Sequence, residues 1–260
     1  MSPHIFDDSS PAELEGAALL QRHFVRLDAA EARCDAFEVR VGSLLDGDDH
    51  ATAYDPISHQ VRFLLVAAFD HIGTFTRSLH DHGMPGVAAY PLVRAALESA
   101  VQVLWLTTGG TRKKRVFRAL HRVWDAASLS DVALRHLNPQ LPSQLPGLRT
   151  RLDELLSAAK VTQRSLDGNH PSMTDIVIDA KPPGWSHTFE PIDVWRLCSS
   201  MAHGNQSVAR ALLEHRLIGP TTDLGGTFMV TTSYQVMAAF VGVLVEVIEA
   251  ALDDQDRLNK

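Results

Sequence analysis

The residues best suited to chemistry lie together on one predicted helix that begins at Pro191. Arg196, Ser200 and His203 are spaced at i, i+4 and i+7, with Ser199 beside them, so helical geometry places all four side chains on one face. An imidazole transfers protons near neutral pH, and a guanidinium stabilises negative charge. The face is therefore a candidate site for acid–base chemistry on an anion. Alternatively, these groups bond to buried carbonyls for structural reasons, since buried polar groups need partners.

A second polar pair interrupts an otherwise apolar predicted helix. Arg94 and Glu98 are four residues apart, and Trp105 follows on the same face. Arg before Glu is the weaker order for a local pair, so we expect both side chains to bond to other helices. They either belong to a substrate-binding site or form an interior ion pair that fixes the helix register.

The next predicted helix opens with several basic residues. Arg115, Arg118 and Arg122 stand at i, i+3 and i+7, which predicts a basic ridge suited to phosphate groups. On an acidic chain, such a concentration of positive charge indicates an anionic ligand. The alternative is a solvated face without a ligand.

Thirteen histidines require a test for metal binding. His80 and His82 flank Asp81 at a predicted helix end, and Asp70-His71 lies upstream. No HExxH or Glu-x-x-His pair places two ligands on one helix face. Gly-rich phosphate loops and GxSxG motifs do not occur in the sequence either. We therefore predict no metal and no other cofactor, and a metal-dependent enzyme using His71, His80 and His82 is the least favoured alternative.

Hydrophobic periodicity predicts an all-α protein without strands or internal repeats. Ser10 as N-cap, followed by Pro11 and Glu13, marks the start of the first helix, and residues 46–49 (Asp-Gly-Asp-Asp) are expected to end it. We predict a single domain over residues 1–260, an up-and-down bundle of about seven helices in which 10–45 is an extension and 58–253 the bundle. The expected helices cover 10–45, 58–79, 90–106, 111–137, 148–161, a segment from 191 and 227–253.

Two long connections separate the later helices. Residues 138–147 hold three prolines, and residues 162–190 form a longer connection in which only Met173–Ala180 has a helical pattern. A loop of that length in a compact domain is often a lid or a binding segment.

Composition limits the classes of protein that fit this chain. A net charge of −7 over 260 residues argues against a surface built entirely for nucleic acid but permits a local basic groove. Cys34 and Cys198 form no CxxC spacing, and the first residues do not resemble a signal peptide, so we expect a cytoplasmic protein. The most hydrophobic stretch, Phe228–Leu252, carries several polar residues and is interpreted as a buried core helix without membrane contact.

The spacing of Arg196 and His203, with six residues between them, resembles the Arg-x(4–6)-His signature of HEPN proteins. Leu197-Cys198 stand where these proteins usually carry a polar residue. A wider pattern over residues 60–250 resembles a poorly characterised, HEPN-like group of bacterial helical proteins. Its features are Asp70-His71, Arg94 and Glu98, Arg115 and Arg118, and Ser200-x-x-His203-Gly204.

This resemblance implies an all-α homodimer that cleaves RNA without metal, in a toxin or phage-defence setting with an antitoxin-like protein partner. His203 would transfer protons, Arg196 would stabilise the phosphate, and Ser200 would orient one of them. The residues expected to bind substrate around them are Arg115, Arg118, Arg122, Arg94, Glu98 and Ser199. The alternative is a non-catalytic helical module that binds a partner protein or an anionic ligand, with the Arg, His and Glu side chains serving structure.

Overall fold

The computed structural model describes residues 10–161, 165–168, 171–182, 184–219 and 227–260. Within these ranges the chain forms ten α-helices and one antiparallel pair of strands, which confirms the all-α prediction. The helices are α1 Pro11–Asp35, α2 Leu44–Ala51, α3 Ile57–His82, α4 Ala89–Thr107, α5 Arg112–Leu137, α6 Leu145–Ala158, α7 Met173–Asp179, α8 Pro191–Ala202, α9 Gln206–Leu212 and α10 Tyr234–Leu258. The strands are β1 Leu213–Leu217 and β2 Phe228–Thr232, with Leu213 opposite Thr232.

The main core lies between α1, α3, α4 and α10, with α7 and α8 packed against α4. Helix α10 is apolar on nearly every side and contributes fully buried residues along its whole length. Among the described residues, it alone is long and apolar enough to cross a membrane, yet 67% of its most apolar window is buried inside the fold. Burial on this scale is what a core helix requires.

The first helix belongs to this core and is not the extension that we expected. It packs along α10, and its residues Leu20, Phe24 and Leu27 are buried. Arg26 also donates to Glu246 and Glu249 of α10, at 2.6 Å each. The sequence pattern could not show which helix would cover the apolar face of α1, because the two helices are more than two hundred residues apart.

Two predicted helix boundaries are wrong. Helix α1 ends at Asp35, and the Asp-Gly-Asp-Asp segment that we expected to end it lies inside α2, where Ser43 accepts a hydrogen bond from the Asp46 N–H at 3.1 Å as N-cap. The last helix begins at Tyr234 and not at 227, because the preceding residues form β2. That strand ends in Val230, Thr231 and Thr232, β-branched residues that favour extended backbone.

A smaller cluster joins α5 to α6 at one side of the bundle. Val116, Phe117 and Leu120 of α5 pack with Leu152 and Leu156 of α6. The α5 residues of this cluster, from Val116 to Trp124, all lie in the first half of the helix. Its second half, from Asp125, is mostly exposed.

The connection 162–190 contains α7, and its last residues pack against the core. The Trp185 Nε1 donates to the Phe189 carbonyl at 3.1 Å, and the Phe189 ring lies edge-on to Phe240 of α10, with the centroids 5.6 Å apart. Residues 162–164, 169–170 and 183 of this predicted lid or binding segment lie outside the described residues. The described part of the connection is therefore anchored to the core through a few apolar residues, while most of its other residues are exposed.

Candidate functional site

Helix α8 presents the polar face predicted from the sequence and buries the opposite one. Pro191 occupies the first turn, and the Glu190 N–H donates to the Asp193 carboxylate at 3.0 Å, so the start of the helix is capped. Val194, Cys198 and Met201 point into the core and are almost fully buried. Burial raises the pKa of the Cys198 thiol far above its usual range, with the charge of Arg94 opposing the shift, so this thiol is not a nucleophile.

On the outer face, Arg196 and His203 are exposed, and Ser199 and Ser200 are half-buried. Neither the Arg196 nor the His203 side chain makes a hydrogen bond or ion pair with the described part of the chain. The His203 N–H donates to the Ser199 carbonyl at 3.1 Å and ends the helix, and Gly204 follows with a φ of +70°. Both charged or chargeable side chains are therefore available to a ligand in solvent.

Arg94 and Glu98 join α4 to α8 through Trp195. The Trp195 Nε1 donates to Glu98 Oε1 at 2.7 Å, and Arg94 Nη2 lies 2.8 Å from the same oxygen. The Arg94 guanidinium also lies 5.4 Å from the centroid of the Trp195 ring, a cation–π distance. The Arg94 Nε is buried without a hydrogen-bond partner among the described residues. This cluster is partly accessible, since the Arg94 and Glu98 side chains each keep 26% of their surface exposed.

The predicted basic ridge on α5 is not an accessible surface. Arg115 is buried and donates through Nε to Asp48 Oδ2 at 2.5 Å. Arg118 is buried as well, donates to the Trp105 carbonyl and lies with its guanidinium 4.8 Å from the centroid of the Trp105 ring. These two guanidinium groups bond to the protein interior and cannot receive flanking phosphates without leaving it.

Arg122 is the third member of the expected ridge and is half-buried. Its Nε donates to Gln102 Oε1 at 3.3 Å, and its Nη1 contacts Gln60 Oε1 at 3.5 Å. Burial lowers the pKa of the Arg122 guanidinium, and the negative charge of Asp55 opposes that shift. Arg122 thus bonds to neutral amides of two neighbouring helices, and this place suits a structural role better than phosphate binding.

Three clefts formed by described residues lie away from the polar face of α8. The largest of them, about 720 Å³, lies between the second half of α5 and residues 141–148, and another, about 440 Å³, lies beside Asp179 and Glu246. The third, about 220 Å³, is a groove between α1 and α3. Arg196 and His203 line none of these three clefts.

The histidines considered as metal ligands lie on α3, with His71 near its middle and His80 and His82 in its last turn. His80 and His82 are exposed, His71 is half-buried, and His80 Nδ1 lies 3.1 Å from Asp81 Oδ1. Within the described ranges, no three His, Cys, Asp or Glu side chains are arranged to hold a metal ion.

Sequence reasoning missed the role of two residues. The indole N–H of Trp195 makes a polar link from α8 to Glu98 of α4, which helical spacing did not indicate. Asp48 was assigned to a helix break, but it is the buried partner of Arg115. The sequence held a weak indication of the role of Asp48, because an Arg that is buried on a helix needs an acidic partner elsewhere in the chain.

No family model, no curated protein and no solved structure matches this chain.

Proposed function

We propose that this protein is a metal-independent ribonuclease that uses the polar face of α8. The observation that carries the proposal is that Arg196 and His203 lie seven residues apart on one exposed helix face, without partners among the described residues. In a structural role, these side chains would be bonded within the protein, as Arg115 and Arg118 are. The resemblance to HEPN proteins supports the same assignment.

The chemistry follows from the two side chains. The ribose 2′-oxygen attacks the neighbouring phosphorus, so that an O2′–P bond forms and the P–O5′ bond breaks, leaving a 2′,3′-cyclic phosphate and a 5′-hydroxyl group. His203 takes the proton of the attacking hydroxyl, and Arg196 stabilises the charge that builds on the phosphate oxygens. Ser200, one turn from each, orients the phosphate. Each chain carries one such His, so a second copy or water supplies the proton to the leaving oxygen.

The substrate contacts are fewer than the sequence suggested. Arg115 and Arg118 are withdrawn from the proposal because both are buried and bonded. Arg94, Glu98 and Ser199 remain beside the polar face, and Arg94 is the accessible cation among them. With so few cations beside the polar face and a net charge of −7 on the chain, we expect RNA binding to be weak, and its dependence on salt to be shallow because few phosphates are neutralised. A cytoplasmic location, an antitoxin-like partner and a homodimer remain part of this proposal.

An RNA-cleavage assay in EDTA tests the proposal. We expect wild-type protein to cleave single-stranded RNA, and Arg196→Ala and His203→Ala to lose about 100-fold or more in rate, as general acid–base groups usually do. Two exposed residues of the same types on α3 serve as matched controls, because Arg77→Ala and His80→Ala should cleave at the wild-type rate. Absence of wild-type cleavage, or equal rates in all variants, would rule out the proposal.

A non-catalytic module for an anionic ligand is the second candidate. The observation that favours it is the closed network of Arg94, Glu98 and Trp195, in which polar side chains hold α4 against α8. Under this alternative, the same RNA or another polyanion binds, and Arg196→Ala weakens binding, but no product forms. A binding titration run beside the cleavage assay separates the two candidates.

A further inference from the structure

The second half of α5 carries four residues along one side, which we call the outer stripe, and only its first residue, Asp125, lies near an ionisable partner among the described residues, at 3.4 Å from His121 Nε2. Asp125, Leu129, Val132 and His136 follow one another at intervals of 4, 3 and 4 residues, so they lie along one side of the helix. Leu129 is 74% exposed and Val132 53% exposed. The Asp125 side chain is 59% exposed. Single exposed apolar residues are ordinary, but two at the centre of one helical stripe indicate a contact surface.

The opposite side of this half of α5 lines a cleft. Ala127, Asp131 and Leu134 face the cleft formed with residues 141–148. These residues lie roughly opposite the outer stripe, since successive helical residues are separated by about 100°. Leu134 on the cleft side is 50% exposed, and Leu137, 84% exposed, adds apolar surface at the end of the helix.

We propose that the outer stripe is the contact surface between two copies of this chain, with the two α5 helices antiparallel. In the register centred between Ser130 and Asp131, Leu129 of one copy packs against Val132 of the other. The same register places the carboxylate of Asp125 opposite the imidazole of His136, at both ends of the contact. A two-fold axis relates the two copies in this arrangement, so each contact between the copies occurs twice.

Charge complementarity favours a second copy of the chain as the partner and an antiparallel direction of the two α5 helices. The stripe has its acidic residue at one end and its basic residue at the other, so an antiparallel copy pairs unlike groups, whereas a parallel copy would place Asp against Asp. The imidazole can donate a hydrogen bond to the carboxylate in either protonation state. Ala126 and Ala133 flank the stripe and are exposed, so two helices can approach closely.

The length of the outer stripe limits the expected affinity of the dimer. Twelve helical residues, 125–136, span about 18 Å, so the contact is at the small end of specific interfaces. We therefore expect a concentration-dependent dimer with a dissociation constant of about 10 μM rather than a permanent one. This inference rests on the α5 surface alone, and it stands whether or not α8 cleaves RNA.

Sedimentation equilibrium of the full chain between about 1 and 200 μM tests the surface, a range that brackets the expected dissociation constant. We expect wild type to dimerise and Leu129→Glu to weaken the dimer about 30-fold or more, as loss of a central apolar contact usually does. The matched control is Val25→Glu on α1, where an apolar residue that is 61% exposed receives the same charge. A monomeric wild type, a dimer that tolerates Leu129→Glu, or equal weakening by Val25→Glu would overturn the proposal.

A charge exchange tests the antiparallel direction. His136→Glu should weaken the dimer because it places two carboxylates opposite each other, and Asp125→Lys added to it should restore the wild-type constant. In a parallel dimer, the double variant would place Lys against Lys and Glu against Glu and could not recover. Asp125 also lies 3.4 Å from His121 in its own chain, so thermal melting of each variant is measured in parallel. Failure of the exchange to restore a stably folded double variant would overturn the register.

Discussion

The buried ion pair between α2 and α5 gives the sharpest stability prediction. Asp48 has no exposed surface, Arg115 keeps 5%, and the Nε–Oδ2 distance is 2.5 Å. Replacement of Asp48 by Asn preserves the shape of the side chain but removes the charge that compensates the buried guanidinium. The change therefore isolates the electrostatic contribution to the contact between these two helices.

The size of the effect follows from the environment of the pair. Two unit charges about 4 Å apart attract by about 4 kcal/mol at an effective dielectric constant of about 20. Removal of one partner of a buried pair usually costs about 3–5 kcal/mol, because the other charge stays buried. Asp48 Oδ1 has no hydrogen bond among the described residues. Burial raises the pKa of the Asp48 carboxyl group, and the hydrogen bond from Arg115 opposes this shift. The carboxylate is thus incompletely compensated, and we expect the lower value, about 3 kcal/mol.

Urea unfolding followed by far-UV circular dichroism measures this loss, provided that the slope of the transition is unchanged. Two further variants are compared with Asp48→Asn in the same measurement. Arg112→Gln should cost less than about 1 kcal/mol, because Arg112 lies 3.6 Å from Asp48 and its side chain is 57% exposed. The double change Asp48→Leu with Arg115→Met removes both charges and should recover most of the loss.

Two results would refute this reasoning. A loss below about 1 kcal/mol for Asp48→Asn would mean that water or a neighbouring group already compensates Arg115. A double variant as unstable as Asp48→Asn would mean that the shape of the pair, and not its charge, holds α2 against α5.

Two further predictions concern the contact between α1 and α10. A Cβ added at Gly16 would lie 2.5 Å from the backbone nitrogen of Gln235, so Gly16→Ala should destabilise the fold by about 1–3 kcal/mol in thermal unfolding. Gly147→Ala, where a Cβ meets nothing within 4 Å, should be neutral or stabilising, and equal effects would contradict the close approach. Burial, with the charge of nearby arginines adding to it, lowers the pKa of His23 below 6.5, so the unfolded chain binds the proton first as the pH falls. The stability that depends on neutral His23 is present above pH 6.5 and is lost as the pH falls below it. The variant His23→Gln should reduce this loss of unfolding free energy, whereas the control His80→Gln should not. If His23→Gln lost stability with falling pH as steeply as wild type, the assignment to His23 would be contradicted.

The sequence predicted the elements whose signals are local. Helix α5 begins after Thr111 as N-cap and ends at Leu137, as its hydrophobic period and flanking residues indicated. The polar side chains of α8 also lie on one side, as predicted, since spacing along a helix fixes which side chains share a side. The hairpin of β1 and β2 was missed, because two strands of five residues give only a short alternating pattern.

What the sequence could not give is which polar groups remain accessible. Arg115 and Arg196 both follow helical spacing on amphipathic helices, but one is buried against Asp48 and the other is exposed. Helical period describes the face of a single helix, whereas accessibility depends on which distant segment covers that face.

By itself, the sequence determined the helical fold class, the approximate extents of α3, α4 and α5, and the grouping of Arg196, Ser200 and His203 on one side of α8. The tertiary structure alone decided that α1 is part of the core, that the arginines of α5 serve packing and that the outer stripe of α5 is bare. The physical reason is the range of the interactions. Helix formation and side-chain periodicity depend on residues within about four positions of each other, whereas burial of a charge depends on partners brought together only by the complete fold.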